Sequence, residues 1–367
     1  MNDPITVTRL LTRKNALGET CLDTMPMPMP LHEGEVVLQV ERVAITTNNI
    51  TYAGFGDAMR YWDFFPTGET GWGHMPAWGF GNVVVSNAEG IEVGERFYGY
   101  FPIASHIRMK AGRVKKRGFY DVSEHRLNLT SAYNHYTRCS EDPAYLPDHE
   151  NFQAVIRPLF ITSFMCADFL QDNKFFGAAQ VIISSASSKT AFGTAFCLKD
   201  KYDVKLVGLT SGGNRAFVER LGCYDETAVY GEVGAMPASR PTLYLDFSGN
   251  DGLRSAIHHH FGSKLTYDCY AGSAHNTTFL DEKNLPGPKP QFYFAPVQIR
   301  KRNEDWGYDV VNQRFNEAQL SFIRRVSDPA DPWMRIQVSQ GCEKAQQVIA
   351  DIHAGRIDPE KAHIVLL

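Results

Sequence analysis

The run Val181-Ile182-Ile183-Ser184-Ser185-Ala186-Ser187-Ser188-Lys189-Thr190 joins a β-branched stretch to a turn of small residues that opens a helix. Backbone N–H groups and hydroxyls at such a helix start face an anion, and the helix dipole favours negative charge there. The chemistry on offer is phosphate binding, with Ser185, Ala186, Ser187, Ser188, Lys189 and Thr190 as its candidates. The turn departs from the glycine-rich dinucleotide pattern, because Ala186, Ser188 and Ala191 stand at the glycine spacings. Ala191 still permits close helix–strand packing, and the serines add hydroxyl donors. Taken alone, the same run also describes an ordinary capped helix.

A second apolar run, Val204 to Leu209, ends at Thr210-Ser211-Gly212-Gly213-Asn214-Arg215. NAD-binding folds place an acidic residue here for the adenosine ribose. This chain has none, and offers Thr210, Ser211, Asn214 and Arg215 instead. A carboxylate would repel a 2′-phosphate, whereas arginine and hydroxyl donors hold one, which favours NADP(H). Ser211 as a helix cap and Arg215 as an exposed cation is the plainer reading, and both can hold together. Asp246-Phe247-Ser248-Gly249 ends a later strand, and Gly272 and Ser273 follow another; Phe247, Ser248 and Gly272 join the cofactor candidates.

The elements that must position these residues fall into two patterns. Val36 to Ile45 alternates as a half-buried strand, Asn82 to Ser86 is a second, and Val93 to Gly99 reads as a turn and a third, with frequent Gly and Pro as in a small barrel. From Phe152 strands and helices alternate: 181–184, a helix 190–199, 204–209, 228–230, 242–246, 264–269 and 292–294. That order implies a parallel, doubly wound sheet. Residues 334–338 and 363–366 read as strands around an amphipathic helix near Ala345 to Ile352. The expectation is an α/β protein, with a β-rich domain over 1–151 and 300–367 and a dinucleotide-binding domain over 152–299.

At 367 residues, with 43% hydrophobic and 12% aromatic residues, the chain is long enough for two cores. A net charge of -4 gives no general attraction to nucleic acid. The basic run Arg108 to Arg117 reads as a solvated surface in a loop region. Seven scattered cysteines, none at C-x-x-C spacing, argue against a disulfide framework and a clustered zinc site. The apolar stretch 154–170 is broken by Arg157 and Asp168, as in a core segment rather than a membrane span. No charged-then-apolar leader opens the sequence, so a cytoplasmic location is expected. His258-His259-His260 cannot readily share one ion on a helix, and reads as a polar helix face.

The chain resembles the medium-chain dehydrogenase/reductase superfamily, on its zinc-independent quinone-oxidoreductase side. The resemblance spans nearly the whole sequence and rests, in order, on Gly34-Glu35-Val36-Val37-Leu38-Gln39-Val40, on Val93-Gly94-Glu95-Arg96-Phe97-Tyr98-Gly99, on the Ser-Ala-Ser turn and on Leu221-Gly222-Cys223-Tyr224-Asp225-Glu226. Trp78-Gly79-Phe80-Gly81, Tyr133-Asn134-His135-Tyr136 and Phe294-Ala295-Pro296 are similar to runs in a divergent branch of uncharacterised members. The resemblance implies a GroES-like β domain, a Rossmann domain, a nicotinamide cleft between them and a homodimer.

Zinc-dependent members carry a ligand cysteine where this chain has Thr46, and a Gly-His-Glu element near Pro76-Ala77-Trp78-Gly79. Catalytic zinc needs three protein ligands, so none is expected. The loop that faces nicotinamide in the family holds Thr46, Thr47, Asn48, Asn49 and Tyr52, with Asn49 replacing a common aspartate. Asn48 is the candidate to orient substrate or ribose, and Tyr52 or Tyr133 the candidate proton donor. Aromatic residues between Tyr61 and Trp78 suggest a partly apolar small-molecule pocket. The expected function is hydride transfer from NADPH to a carbonyl or activated alkene. The competing reading is a catalytically weak NADP(H)-binding sensor or scaffold.

Overall fold

The computed structural model describes residues 5–271, 285–356 and 358–367. The chain divides into two compact units, one running to Val155 and resuming at Arg335, the other Ile156–Met334.

The first unit opens with an antiparallel hairpin, β1 (Thr6–Arg13) and β2 (Ala16–Pro26), in which Leu10 faces Leu22. β3 (Glu35–Ile45) follows and leads into α1 (Thr47–Gly54); the short β4 (Trp72–Gly73) then adds to β1. Strands β5 (Pro76–Ser86), β6 (Arg96–Pro102), β7 (His106–Lys115), β8 (Gly118–Asp121) and β9 (His135–Arg138) complete the set. Their order is β3-β5-β6-β9-β8-β7, and β7 returns to β3, so six antiparallel strands close into a barrel. Val37 of β3 faces Val85 on one side and Arg108 on the other. Closure leaves neither side of β3 with unpaired backbone groups there. Val36, Leu38, Val40, Phe97, Phe101, Met109 and Phe119 are among the residues of its buried core.

Two readings of this region need correction. β5 begins at Pro76 and takes in Gly79-Phe80-Gly81, rather than starting at Asn82. A Cβ on Gly79 would lie 2.0 Å from the Arg42 carbonyl oxygen, so close strand approach is what the glycine serves. The basic run lies on β7 and its turn into β8, not in a loop, because Ile107 and Met109 point into the barrel while Lys110 and Arg113 face out.

α2 (Glu150–Asp172) carries the chain onward, and its buried face includes Ala154, Val155, Ile156, Phe160 and Met165. By length and composition, the helical stretch Pro147–Asp172 would suffice to cross a membrane, and more than half of its apolar window is buried. The second unit holds β10 (Gln180–Ile183), α3 (Lys189–Leu198), β11 (Lys205–Thr210), α4 (Arg215–Leu221), β12 (Glu226–Val229), β13 (Thr242–Asp246), α5 (Asp251–Phe261), β14 (Leu265–Tyr270) and β15 (Gln291–Phe292). These six strands form one parallel sheet in the order β12-β11-β10-β13-β14-β15. The order reverses beside β10, where such sheets bind ligands at the strands' carboxyl ends.

α6 (Ala295–Trp306) and α7 (Tyr308–Val326) also belong to the second unit, so residues 300–334 do not fall with the β-rich domain. The cause is aromatic packing. Phe322 of α7 stacks on Phe160 of α2 at 4.5 Å and packs on Phe196 of α3 at 5.1 Å, and Trp333 packs on Phe192 at 5.8 Å. β16 (Arg335–Gln340), α8 (Cys342–His353) and β17 (Lys361–Leu366) then return to the first unit, where β17 pairs with β3.

Candidate functional site

The serine turn sits at the carboxyl end of β10. Ser184 is fully buried, and its hydroxyl donates to Asp246 Oδ1 at 2.5 Å while accepting from the N–H groups of Phe247 and Ser248. Ser185 follows in the left-handed region at φ 51°, a conformation that costs a non-glycine residue about 1–2 kcal/mol. Its carbonyl accepts from Ser188 N at 2.7 Å, and Ser185 donates to the Tyr230 hydroxyl oxygen. Ala186 is fully buried with both backbone groups engaged: its N–H donates to Leu209 O, and its carbonyl accepts from the Tyr224 hydroxyl. It shapes the turn rather than presenting a side chain. Ser188 caps α3, its hydroxyl accepting from Ala191 N, and the first turn, which includes Lys189 and Thr190, carries no carboxylate.

The end of β11 joins this turn. Asn214 Nδ2 donates to Ser187 Oγ at 3.0 Å, so two loops separate in sequence share one edge. Ser211 opens a single 3₁₀ turn, Gly212–Asn214, without a side-chain cap bond. The buried Thr210 hydroxyl has no hydrogen-bond partner among the described residues. Arg215 is bracketed by Glu219 at 2.9 Å and Glu232 at 3.0 Å. Glu232, which also accepts from Val229 N, carried no signal in the sequence, and Tyr230, read as the end of the third strand, instead opens a 3₁₀ turn after β12. Phe247 and Ser248 are buried; the Ser248 hydroxyl donates to Asp246 at 2.7 Å. Gly272 lies outside the described residues.

Beneath this edge lies a buried ionic cluster. Arg254 Nη2 bonds Asp246 Oδ2 at 2.7 Å, and His258 Nε2 meets Asp268 Oδ2 at 2.7 Å. The expectation of a polar helix face at 258–260 is corrected here: His258 is fully buried, because α5 turns it onto β14 while His259 faces out. Burial raises the Asp268 carboxyl above its usual range, against the opposing pull of His258 and Arg254.

In the first unit, Thr46 caps α1, and Asn49 is structural: its Oδ1 accepts from Thr46 N, and its Nδ2 donates to Pro76 O. One helical turn on, Tyr52 enters a buried aromatic cluster with Tyr61, Phe64, Phe65 and Tyr100, against which Tyr133 and Trp78 pack. The three catalytic candidates converge. Trp78 Nε1 donates to the Tyr52 phenol oxygen at 3.1 Å, the Tyr133 ring meets the Tyr52 ring edge-on at 6.0 Å, and Asn48 stands one helical turn before Tyr52 on α1. Tyr133 and Tyr61 hydroxyls lie 3.2 Å apart. Burial pushes the Tyr52 phenol far above its ordinary value, and the Trp78 N–H pulls it back. Tyr61 was legible only as aromatic content, and Trp78 only as part of that content and of the resembling run Trp78-Gly79-Phe80-Gly81. Among the described residues, no group of three His, Cys, Asp or Glu side chains is placed to hold a metal ion.

Among solved structures, the chain is similar to CurA from Vibrio vulnificus in complex with NADPH, at 14% identity over 98% of both chains and a TM-score of 0.58. It is similar to the YhdH oxidoreductase from Salmonella enterica in complex with NADP, at 12% identity over 99% of this chain and 100% of that one, TM-score 0.52. A mutant form of enoyl thioester reductase from Candida tropicalis shows 12% identity over the same shares, TM-score 0.54. At these identities the likeness establishes the fold, a GroES-like barrel with a Rossmann sheet, as in the medium-chain dehydrogenases/reductases. No curated protein matches the sequence. The family described as "Protein of unknown function (DUF2855)" matches residues 43–358, and the chain belongs to it.

Proposed function

We propose that the chain is a zinc-independent, NADPH-dependent reductase acting on a carbonyl or activated alkene of a partly apolar small molecule. The observation that carries this reading is the Tyr52 phenol, held in an aromatic cluster with the Trp78 N–H on its oxygen and the Tyr133 ring packed edge-on against it. A phenol so placed can still protonate the alkoxide or carbanion that hydride addition creates, because either is a stronger base than a phenolate.

The serine turn fits a dinucleotide. A capped helix without a first-turn carboxylate and the partnerless Thr210 hydroxyl beside it are features an anionic ligand would satisfy. Ser185, Ser187, Ser188, Lys189 and Thr190 would hold the pyrophosphate, and Ser211, Asn214 and Arg215 the 2′-phosphate. NADPH, when bound, supplies the hydride. CurA and YhdH carry NADPH and NADP in their crystals, which supports the choice of cofactor. Asn48 orients the substrate oxygen, and Tyr52 donates the proton that completes the reduction. The same reading takes the protein as a cytoplasmic homodimer.

Calorimetric titration with NADPH and NADH, followed by turnover of a panel of enones, quinones and ketones with cofactor deuterated at the hydride position, tests this. Tighter NADPH binding and deuterium in the product are expected. Absence of binding for both nucleotides overturns the proposal, and binding without turnover favours the sensor.

A further inference from the structure

Trp78 touches the candidate proton donor without being required by that assignment. Its Cα partners are Ala44 on β3 and Tyr100 on β6, so barrel pairing sets its position. Its ring stacks on Tyr98 at 5.5 Å with a 17° interplanar angle, and packs tilted on Tyr100 at 5.2 Å and Tyr133 at 5.9 Å. Three aromatic neighbours thus hold the indole in one orientation, with Nε1 3.1 Å from the Tyr52 oxygen. An indole nitrogen only donates. The Tyr52 oxygen is therefore the acceptor in that bond, which does not engage the Tyr52 proton.

We infer that Trp78 is a positioning residue for proton transfer, fixing the Tyr52 hydroxyl and stabilising the phenolate left when the proton departs. This rests on the reductase reading above. In the step, the Tyr52 O–H bond breaks and its proton bonds to the substrate oxygen or carbon made electron-rich by hydride addition. The O–H electron pair stays on Tyr52, facing the Trp78 N–H, and the phenol regains its proton from water. A hydrogen bond to the charged phenolate is stronger than one to the neutral phenol, so the indole acts mainly after the ground state.

Trp78→Phe keeps a flat ring and removes the donor. The expected result is a kcat lower by about tenfold or more, with KM and NADPH affinity held within about twofold. The solvent deuterium isotope effect on kcat should rise as protonation becomes slower. In a Tyr52→Phe background, Trp78→Phe should cause no further loss. If Trp78→Phe does not fold, benzothiophene in place of the indole retains the shape without the N–H and should give the same result. An unchanged isotope effect, or equal losses with and without the Tyr52 hydroxyl, overturns the role of Trp78 alone. Absence of wild-type turnover across the panel overturns the reductase reading and this inference with it.

Discussion

Asp246 and Arg254 form an ion pair at 2.7 Å in the interior of the parallel-sheet unit, with side chains 0% and 2% exposed. Asp246 also gathers Ser184, Tyr244 and Ser248 on its Oδ1, so the pair ties α5 to the serine turn. Arg254→Met removes the cation and leaves Asp246 and Asp268 buried without it. The expected loss is about 3–5 kcal/mol of unfolding free energy, read by urea denaturation. Ser184→Ala should cost less, about 1–3 kcal/mol, because the Phe247 and Ser248 N–H groups lose their shared acceptor. Equal stability of Arg254→Met and the parent would show that the pair does not hold the turn.

The imidazole of His74 gives the barrel unit a pH dependence. Burial lowers it from 6.5 to about 4, with the Arg9 cation adding to the effect, and the Leu10 carbonyl and Asp23 opposing it. The folded chain thus refuses a proton that the unfolded chain accepts. Its contribution to stability is complete above about pH 6.5 and is lost as pH falls toward 4, amounting to about 3 kcal/mol. Denaturation midpoints across that window should fall with pH, and His74→Asn should flatten the slope. A slope unchanged in His74→Asn would refute the assignment.

Tyr52→Phe deletes one hydroxyl from a cluster that keeps its packing. Turnover should drop by about 10²–10⁴-fold with NADPH affinity unchanged, as for removal of a general acid. Tyr133→Phe should cost less, since the Tyr133 hydroxyl pairs with Tyr61 and its ring only packs edge-on against Tyr52. A larger loss in Tyr133→Phe, measured under the same saturating conditions, would reverse the two roles.

Arg215→Ala should weaken NADPH by about tenfold or more and leave NADH nearly unchanged, because one charge-assisted phosphate partner disappears. Arg215 is engaged with Glu219 and Glu232, so phosphate binding must exchange those partners. Glu232→Gln should accordingly tighten NADPH. Equal weakening of both nucleotides by Arg215→Ala would remove Arg215 from the 2′-phosphate site.

Alternation from Val36 onward was enough to read β3, and the apolar runs at 181–184 and 204–209 were enough to read β10 and β11. The small residues between Ile183 and Phe192 likewise announced a strand–turn–helix. Such features are legible because a strand's period and a helix cap are set within about ten residues. The return of β7 to β3, the burial of His258 on Asp268 and the place of α7 beside α2 were not. Each depends on which distant surface a side chain meets, and periodicity carries no information about that. The candidate acid shows the division clearly. Asn48, Tyr52 and Tyr133 could be named from residue type and resemblance, but only the pairing of β5 with β3 and β6 brings Trp78 to the Tyr52 oxygen, because it sets where the ring must lie.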